Sequence, residues 1–333
     1  MTSKTNLPSM IKPLPMRDVF LNRIWQNMEK EKNIFFVSAD FGSPVLDKIR
    51  RDFPERFVNV GIAEQNLINI TAGLALEGYK VFAYAIAPFI TMRCYEQIRV
   101  SLALLSEVRP MNVNLIGVGA GYSYVVSGPT HQCYEDITLM RALPNFRVLS
   151  PSDHITAEAL FDHCLEKNGL RYFRFDAQVL PVIYEESPPD IQKGFSVHRK
   201  GEKICFVATG YVLRTALKVA DKLQMSGVNV GIIDLFDLTH FTSDALQREL
   251  SQYTGIVSLE EGFKGCGGMD SMLFDFIARH NLPLKMRNIG VEGKYRFELG
   301  TRQELHERVG IGENVVLKDV KQFIDLINLT EEI

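Results

Sequence analysis

Three features of this 333-residue chain predict an α/β fold in two domains: short uninterrupted apolar runs, helical periodicity between them, and a polar, proline-bearing break at 183–203. A run such as Ile34-Phe35-Phe36-Val37 is apolar at every position, the pattern of a parallel strand covered on both faces. Between such runs apolar residues recur three and four apart, as they do on helices. Strands alternating with helices imply right-handed crossovers and an open sheet.

Residues 1–15 read as a loose arm, and the first domain spans 16–185. Its opening helix, Met16–Lys30, carries Val19, Phe20, Ile24 and Met28 on one face. Strands are predicted at 34–37, 57–60, 81–85, 113–118, 147–149 and 172–175. The helix after 57–60 puts Leu67, Ile70 and Leu74 on one side and ends at Gly78, where a left-handed cap is usual. Further helices are predicted over about 89–105, up to Arg141, and over 153–166. Segment 186–202, with Ser187-Pro188-Pro189-Asp190, lacks a helical period and reads as a linker. A smaller Rossmann-like domain, 203–333, follows with strands at 204–208, 228–233, 256–259 and 284–289 and helices at 211–226, 245–253 and 269–280.

Composition narrows the function classes. Hydrophobic residues at 46% and charged residues at 23% supply sizeable cores, so a globular protein is expected. A net charge of -3 gives no basic field, so neither nucleic acid nor an anionic membrane is an expected partner. No apolar run approaches the roughly 18 residues of a membrane span. The five cysteines are scattered without a CxxC pair, so neither a metal site nor a disulfide framework is indicated, and a reducing cytoplasm fits.

Open α/β sheets bind ligands at the carboxyl ends of their strands. Four loops at that edge carry Asp40, Glu64, Phe89 and His131. Each has an ordinary explanation alone: a turn former, an answer to a helix dipole, a core aromatic, a satisfied loop histidine. Their joint placement is what points to chemistry. The run Gly117-Val118-Gly119-Ala120-Gly121 lacks the GxGxxG spacing and no helix follows it, so it reads as close backbone passage near a pocket.

The stretch 57–153 resembles the pyrimidine-binding domain of transketolase-like thiamine diphosphate enzymes, through VGIAEQN, APF, GPTHQ, EDITLMRALPN at 135–145 and LSPSD at 149–153. ICFVATG, SLEEG and GTRQEL at 300–305 are similar to the transketolase C-terminal domain. In that family a second domain grips the cofactor's diphosphate through Mg²⁺ with a GDG motif, and this chain has no GDG. The resemblance therefore implies the C-terminal subunit of a split transketolase, whose partner chain supplies the diphosphate site and the Mg²⁺ ligands in an α₂β₂ assembly. No metal ligand is expected on this chain.

By that resemblance Glu64 hydrogen-bonds N1′ of the aminopyrimidine and supports the proton relay that activates thiamine diphosphate. Phe89 and Tyr95 match pocket aromatics, and Asp40 matches an aspartate beside the cofactor. His131 matches the active-site histidine that meets substrate oxygens. Arg171 and Arg174 lie on a strand similar to one where relatives hold a substrate phosphate; they face opposite ways, and Arg174 is the preferred candidate. Ser127 stands where sugar-phosphate transketolases carry the aspartate that selects the donor's hydroxyl configuration, and Met92 where many have a second pocket phenylalanine. The expected reaction is transfer of a two-carbon ketol unit from a ketose to an aldose, with a sugar phosphate or a modified sugar as donor. The β chain of a 2-oxoacid dehydrogenase and a deoxyxylulose phosphate synthase-like enzyme are the enzymatic rivals, and a scaffold subunit is the rival from another class.

Overall fold

A computed structural model describes residues 11–166 and 168–331; the first ten residues of the expected N-terminal arm lie outside it. Two sheets organise the chain. Strands β1 (Ile34–Ser38), β2 (Phe57–Asn59), β3 (Lys80–Ile86), β4 (Asn112–Val118), β5 (Phe146–Leu149) and β6 (Gly169–Phe175) form a six-stranded sheet in the order β2-β1-β3-β4-β6-β5. Every pairing in it is parallel. β4 is buried at all its positions, which is why its sequence shows no alternation.

The second sheet contains β7 (Phe195–Arg199), β8 (Ile204–Ala208), β9 (Gly231–Leu235), β10 (Gly255–Phe263) and β11 (Lys285–Val291), ordered β11-β10-β8-β9-β7. Its edge corrects two expectations. β7 lies inside the segment read as a linker, and it pairs antiparallel with β9, so the second sheet is mixed. An edge strand with one covered face gave only the polar pattern from which a linker was inferred. Helices Arg302–Val309 and Glu313–Glu331 were also not anticipated. The first is announced by a capping box, Thr301 with Glu304, and ends on Gly310 at φ 88°.

The predicted helix at 89–105 exists with a different winding: Phe89–Arg93 and Ile98–Leu104 are π-helical, flanking a short α-turn at Tyr95–Gln97. Such widened turns are often found at functional sites, and they redirect side chains relative to an α-helix. Among the described residues no helix is long and apolar enough to cross a membrane. Four cysteines are buried and free, and Cys266 is exposed and free.

Candidate active site

Strands β2, β1, β3 and β4 are neighbours in space, so the loops that leave their carboxyl ends stand side by side. β1 is also where the topology reverses, since β2 lies on one side of it and β3 on the other, and such a switch point opens a crevice.

Asp40 leaves β1 in the left-handed region, at φ 54°, and is exposed. Asn59 Nδ2 donates to its Oδ1 at 2.9 Å, and Asn59 Oδ1 in turn accepts from the Gly61 backbone N–H at 2.9 Å, tying the first two loops together. An open hollow of about 220 Å³ lies here, lined by Ser38, Asp40, Phe41, Arg50 and Asn59 among others. Gly61, at φ 72°, makes the turn that lets the helix Glu64–Leu76 start directly behind β2.

Glu64 is the first residue of that helix and is only 2% exposed. A carboxylate there meets the positive end of the helix dipole, which offsets part of the penalty of burying it. Arg93 supplies the rest: its Nη1 donates to Glu64 Oε2 at 2.9 Å, and Oε1 is left for another donor. Next to them, burial and then the Glu64 charge push the Cys94 thiol up to about 12, so Cys94 stays protonated and is no nucleophile.

Phe89 begins the first π-turn, and its ring meets that of His131 edge-on with centroids 5.3 Å apart. Arg93 Cζ stands 4.7 Å from the Phe89 ring centroid on the same turn. His131 packs edge-on against Tyr124 as well, at 6.2 Å. Its Nδ1 lies 3.0 Å from Thr130 Oγ1, and that hydroxyl donates to the Ser127 carbonyl at 3.5 Å. With its hydrogen used there, the hydroxyl accepts from Nδ1–H, and Nε2 keeps the lone pair. Ser127 is exposed on the same loop. Thus contacts run continuously from Glu64 through Arg93 and Phe89 to His131, and Asp40 joins through the Asn59 turn.

Two expected site residues do not join this chain of contacts. Tyr95 spends its hydroxyl hydrogen on the Leu139 carbonyl at 2.9 Å and packs its ring against the core. Arg174 is the clear correction. It is 2% exposed; its Nε donates to Asp136 Oδ2 at 2.8 Å, and its Nη2 donates to the carbonyls of Cys133 (3.2 Å) and Glu261 (2.8 Å). Burial disfavours its charge, but Asp136 and Glu261 outweigh that and hold the guanidinium firmly protonated. Tyr172 Oη donates to the same Asp136 oxygen at 2.8 Å. Arg174 therefore braces β6 against the second domain and has no face left for a substrate phosphate. Arg171 is buried too, with Nη1 donating to the Gly169 carbonyl at 3.3 Å.

Sequence reasoning missed Arg93, although its place four residues after Phe89 was a signal once a widened turn is allowed. It also missed the buried seam between the domains. Arg302 Nη2 and His306 Nε2 each lie 2.6 Å from a Glu261 oxygen, and Arg302 Cζ stands 3.5 Å from the Tyr211 ring centroid. Burial works against the Glu261 charge, yet Arg302 and His306 hold the carboxyl well below the usual carboxylate range. The glycine run is the close passage expected of it. A Cβ on Gly121, whose φ is 53°, would lie 2.4 Å from Glu261 Oε2.

Residues 12–182 match the family described as "Transketolase, pyrimidine binding domain", and residues 194–316 the one described as "Transketolase, C-terminal domain". Among relatives, one of the two chains of the apulose-4-phosphate transketolase of Actinobacillus succinogenes is 31% identical over 268 residues, 80% of this chain and 84% of that protein. The "6-deoxy-6-sulfo-D-fructose transketolase subunit SqwH" of Clostridium sp. is 26% identical over 91% of this chain and 92% of its own. The solved structure described as "Split gene transketolase, inactive beta4 tetramer" superposes with a TM-score of 0.80 at 26% identity, covering 93% of this chain and 98% of that one.

Proposed function

Because this chain belongs to the transketolase family, we propose that it is the C-terminal subunit of a split, thiamine diphosphate-dependent transketolase, active only with a chain that carries the diphosphate-binding domain. The observation that carries this reading is Glu64, a buried carboxylate at a helix start, with the Phe89 ring and His131 beside it on one sheet edge. A planar hydrogen-bond donor fits that position, since the Arg93 guanidinium already bonds Glu64 and lies over Phe89.

Thiamine diphosphate, when bound, supplies the nucleophilic carbon that takes a two-carbon ketol unit from a ketose and passes it to an aldose. Glu64 would hold N1′ of the aminopyrimidine, Oε1 being its open oxygen, and share a proton with it. Phe89 would offer its ring face, with Asp40 and Tyr95 at the margin of the pocket. His131 Nε2 would accept a proton from a substrate hydroxyl or polarise it, and Thr130 would keep the imidazole in that tautomer. Ser127, a neutral hydroxyl, would meet the donor sugar. Its replacement of an acidic residue and the substrates in the relatives' names, apulose 4-phosphate and a sulfonated deoxyfructose, support a donor other than the common pentose phosphates.

The Mg²⁺ ligands are assigned to the partner chain, because the sequence holds no GDG motif. An α₂β₂ assembly follows from a cofactor gripped by two chains, and the free cysteines favour the reducing cytoplasm. The test is to co-purify this chain with a GDG-bearing chain of the same genome and to assay ketol transfer against pyruvate decarboxylation. Transfer that requires both chains and the cofactor supports the reading. Turnover of pyruvate without ketol transfer, or ketol transfer by this chain alone, would overturn it.

A further inference from the structure

The Arg93 side chain is 47% exposed, while the Glu64 carboxylate that it bonds is 3% exposed. Its guanidinium is planar and cationic, hydrogen-bonded to Glu64 Oε2 at 2.9 Å with Cζ 4.7 Å from the Phe89 ring centroid. An aminopyrimidine held as proposed above would use the same two features, the carboxyl group and the ring face. Arg93 is held there on a π-turn, anchored where Gln65 Nε2 donates to its carbonyl at 3.3 Å. The backbone is thus fixed, while the half-exposed side chain has solvent to swing into.

We propose that Arg93 is a resident stand-in for the cofactor's pyrimidine, one that compensates Glu64 and covers Phe89 until the ring displaces it. This rests on the reading of Glu64 as the pyrimidine partner. Two physical requirements explain such a device. A carboxylate buried without a partner is strongly destabilising, so the cofactor-free chain needs a cation at Glu64. A guanidinium satisfies this with the flat shape and directed N–H groups that a lysine lacks, so the pocket keeps the form the ring requires. The incoming ring must exchange with Arg93, and the affinity seen is lowered by the fraction of time the stand-in is seated.

The test uses the complex of this chain with its partner and reads thiamine diphosphate binding by calorimetry, with thermal midpoints measured beside it. Arg93→Met should bind the cofactor about threefold to tenfold more tightly than the unaltered complex, as expected when a competing occupant is removed. Its cofactor-free thermal midpoint should fall, and saturating cofactor should restore it. Arg93→Lys, which keeps the charge without the flat face, should show a smaller gain and serves if the Met variant does not assemble. Equal or weaker binding by the variant that assembles would overturn the inference, because a residue that only positions Glu64 for the ring weakens binding when lost. Glu64→Gln separates the two ideas. It should weaken cofactor binding; if it leaves binding unchanged, the pyrimidine assignment fails and the stand-in falls with it.

Discussion

Arg302 Nη1 donates to Asp176 Oδ2 at 2.6 Å, joining the second domain to the carboxyl end of β6 with both side chains buried. Its Nη2 holds Glu261 at the same distance, so one guanidinium compensates two buried carboxylates at the domain seam. Arg302→Met should therefore lower stability by about 3–5 kcal/mol, the usual penalty for breaking a buried pair. Denaturant unfolding followed by tryptophan fluorescence and circular dichroism checks this; a loss below about 1 kcal/mol would show that the seam is not so coupled.

Arg174 is expected to behave as a structural residue. Arg174→Met leaves Asp136 buried without its cation and should destabilise the chain by a similar ~3–5 kcal/mol. Thermal unfolding reads the loss directly. A stable Arg174→Met subunit whose complex shows only a raised KM for a phosphorylated donor would restore the substrate role.

Glu64→Gln keeps the shape of the side chain and removes the transferable proton. Ketol transfer by the reconstituted enzyme should fall by about 10²-fold or more, the range of a lost acid–base group, while the circular dichroism spectrum stays unchanged. His131→Asn should lose activity by a comparable factor with intact cofactor binding, since its contacts are to Thr130 and aromatic rings and not to Glu64. Near-normal turnover in either variant would remove that residue from the machinery.

Asp234 gives a pH signature. Complete burial pushes its carboxyl up to about 7, although the Ser152 and Tyr184 hydroxyls donate to Oδ2 at 2.7 and 2.9 Å. Between pH 3.8, the ordinary value, and about 7 the folded chain keeps a proton that the unfolded chain has lost. Stability from this group is therefore full below that window and falls as pH rises through it, by at most ~1.4 kcal/mol per pH unit. Asp234→Asn should flatten the stability profile across the window, measured by urea unfolding at a series of pH values. An unchanged slope would place the proton elsewhere.

Much of the fold was legible because burial on both faces leaves a strong mark in sequence. β1, β3, β4 and β8 are continuous apolar runs since helices or the other domain cover both sides, and the predicted segments match them to within a residue. β7 escaped because an edge strand half open to solvent carries polar residues, and the C-terminal helices escaped because their polar faces dilute the apolar period. Arg174 misled for a related reason. Strand alternation assigns a residue to a face, and says nothing of whether that face meets solvent or a second domain.

Sequence by itself determined the alternating α/β order, the strand-end loops that carry Asp40, Glu64, Phe89 and His131, and the family resemblance, all of which depend on residues near one another in the chain. Tertiary structure decided the partners: Arg93 on Glu64 and Phe89, Asp136 on Arg174, Arg302 across the seam. Local pattern is set by short-range sterics and burial period, whereas a buried charge is settled by whichever opposite charge the packed domains bring within hydrogen-bond reach.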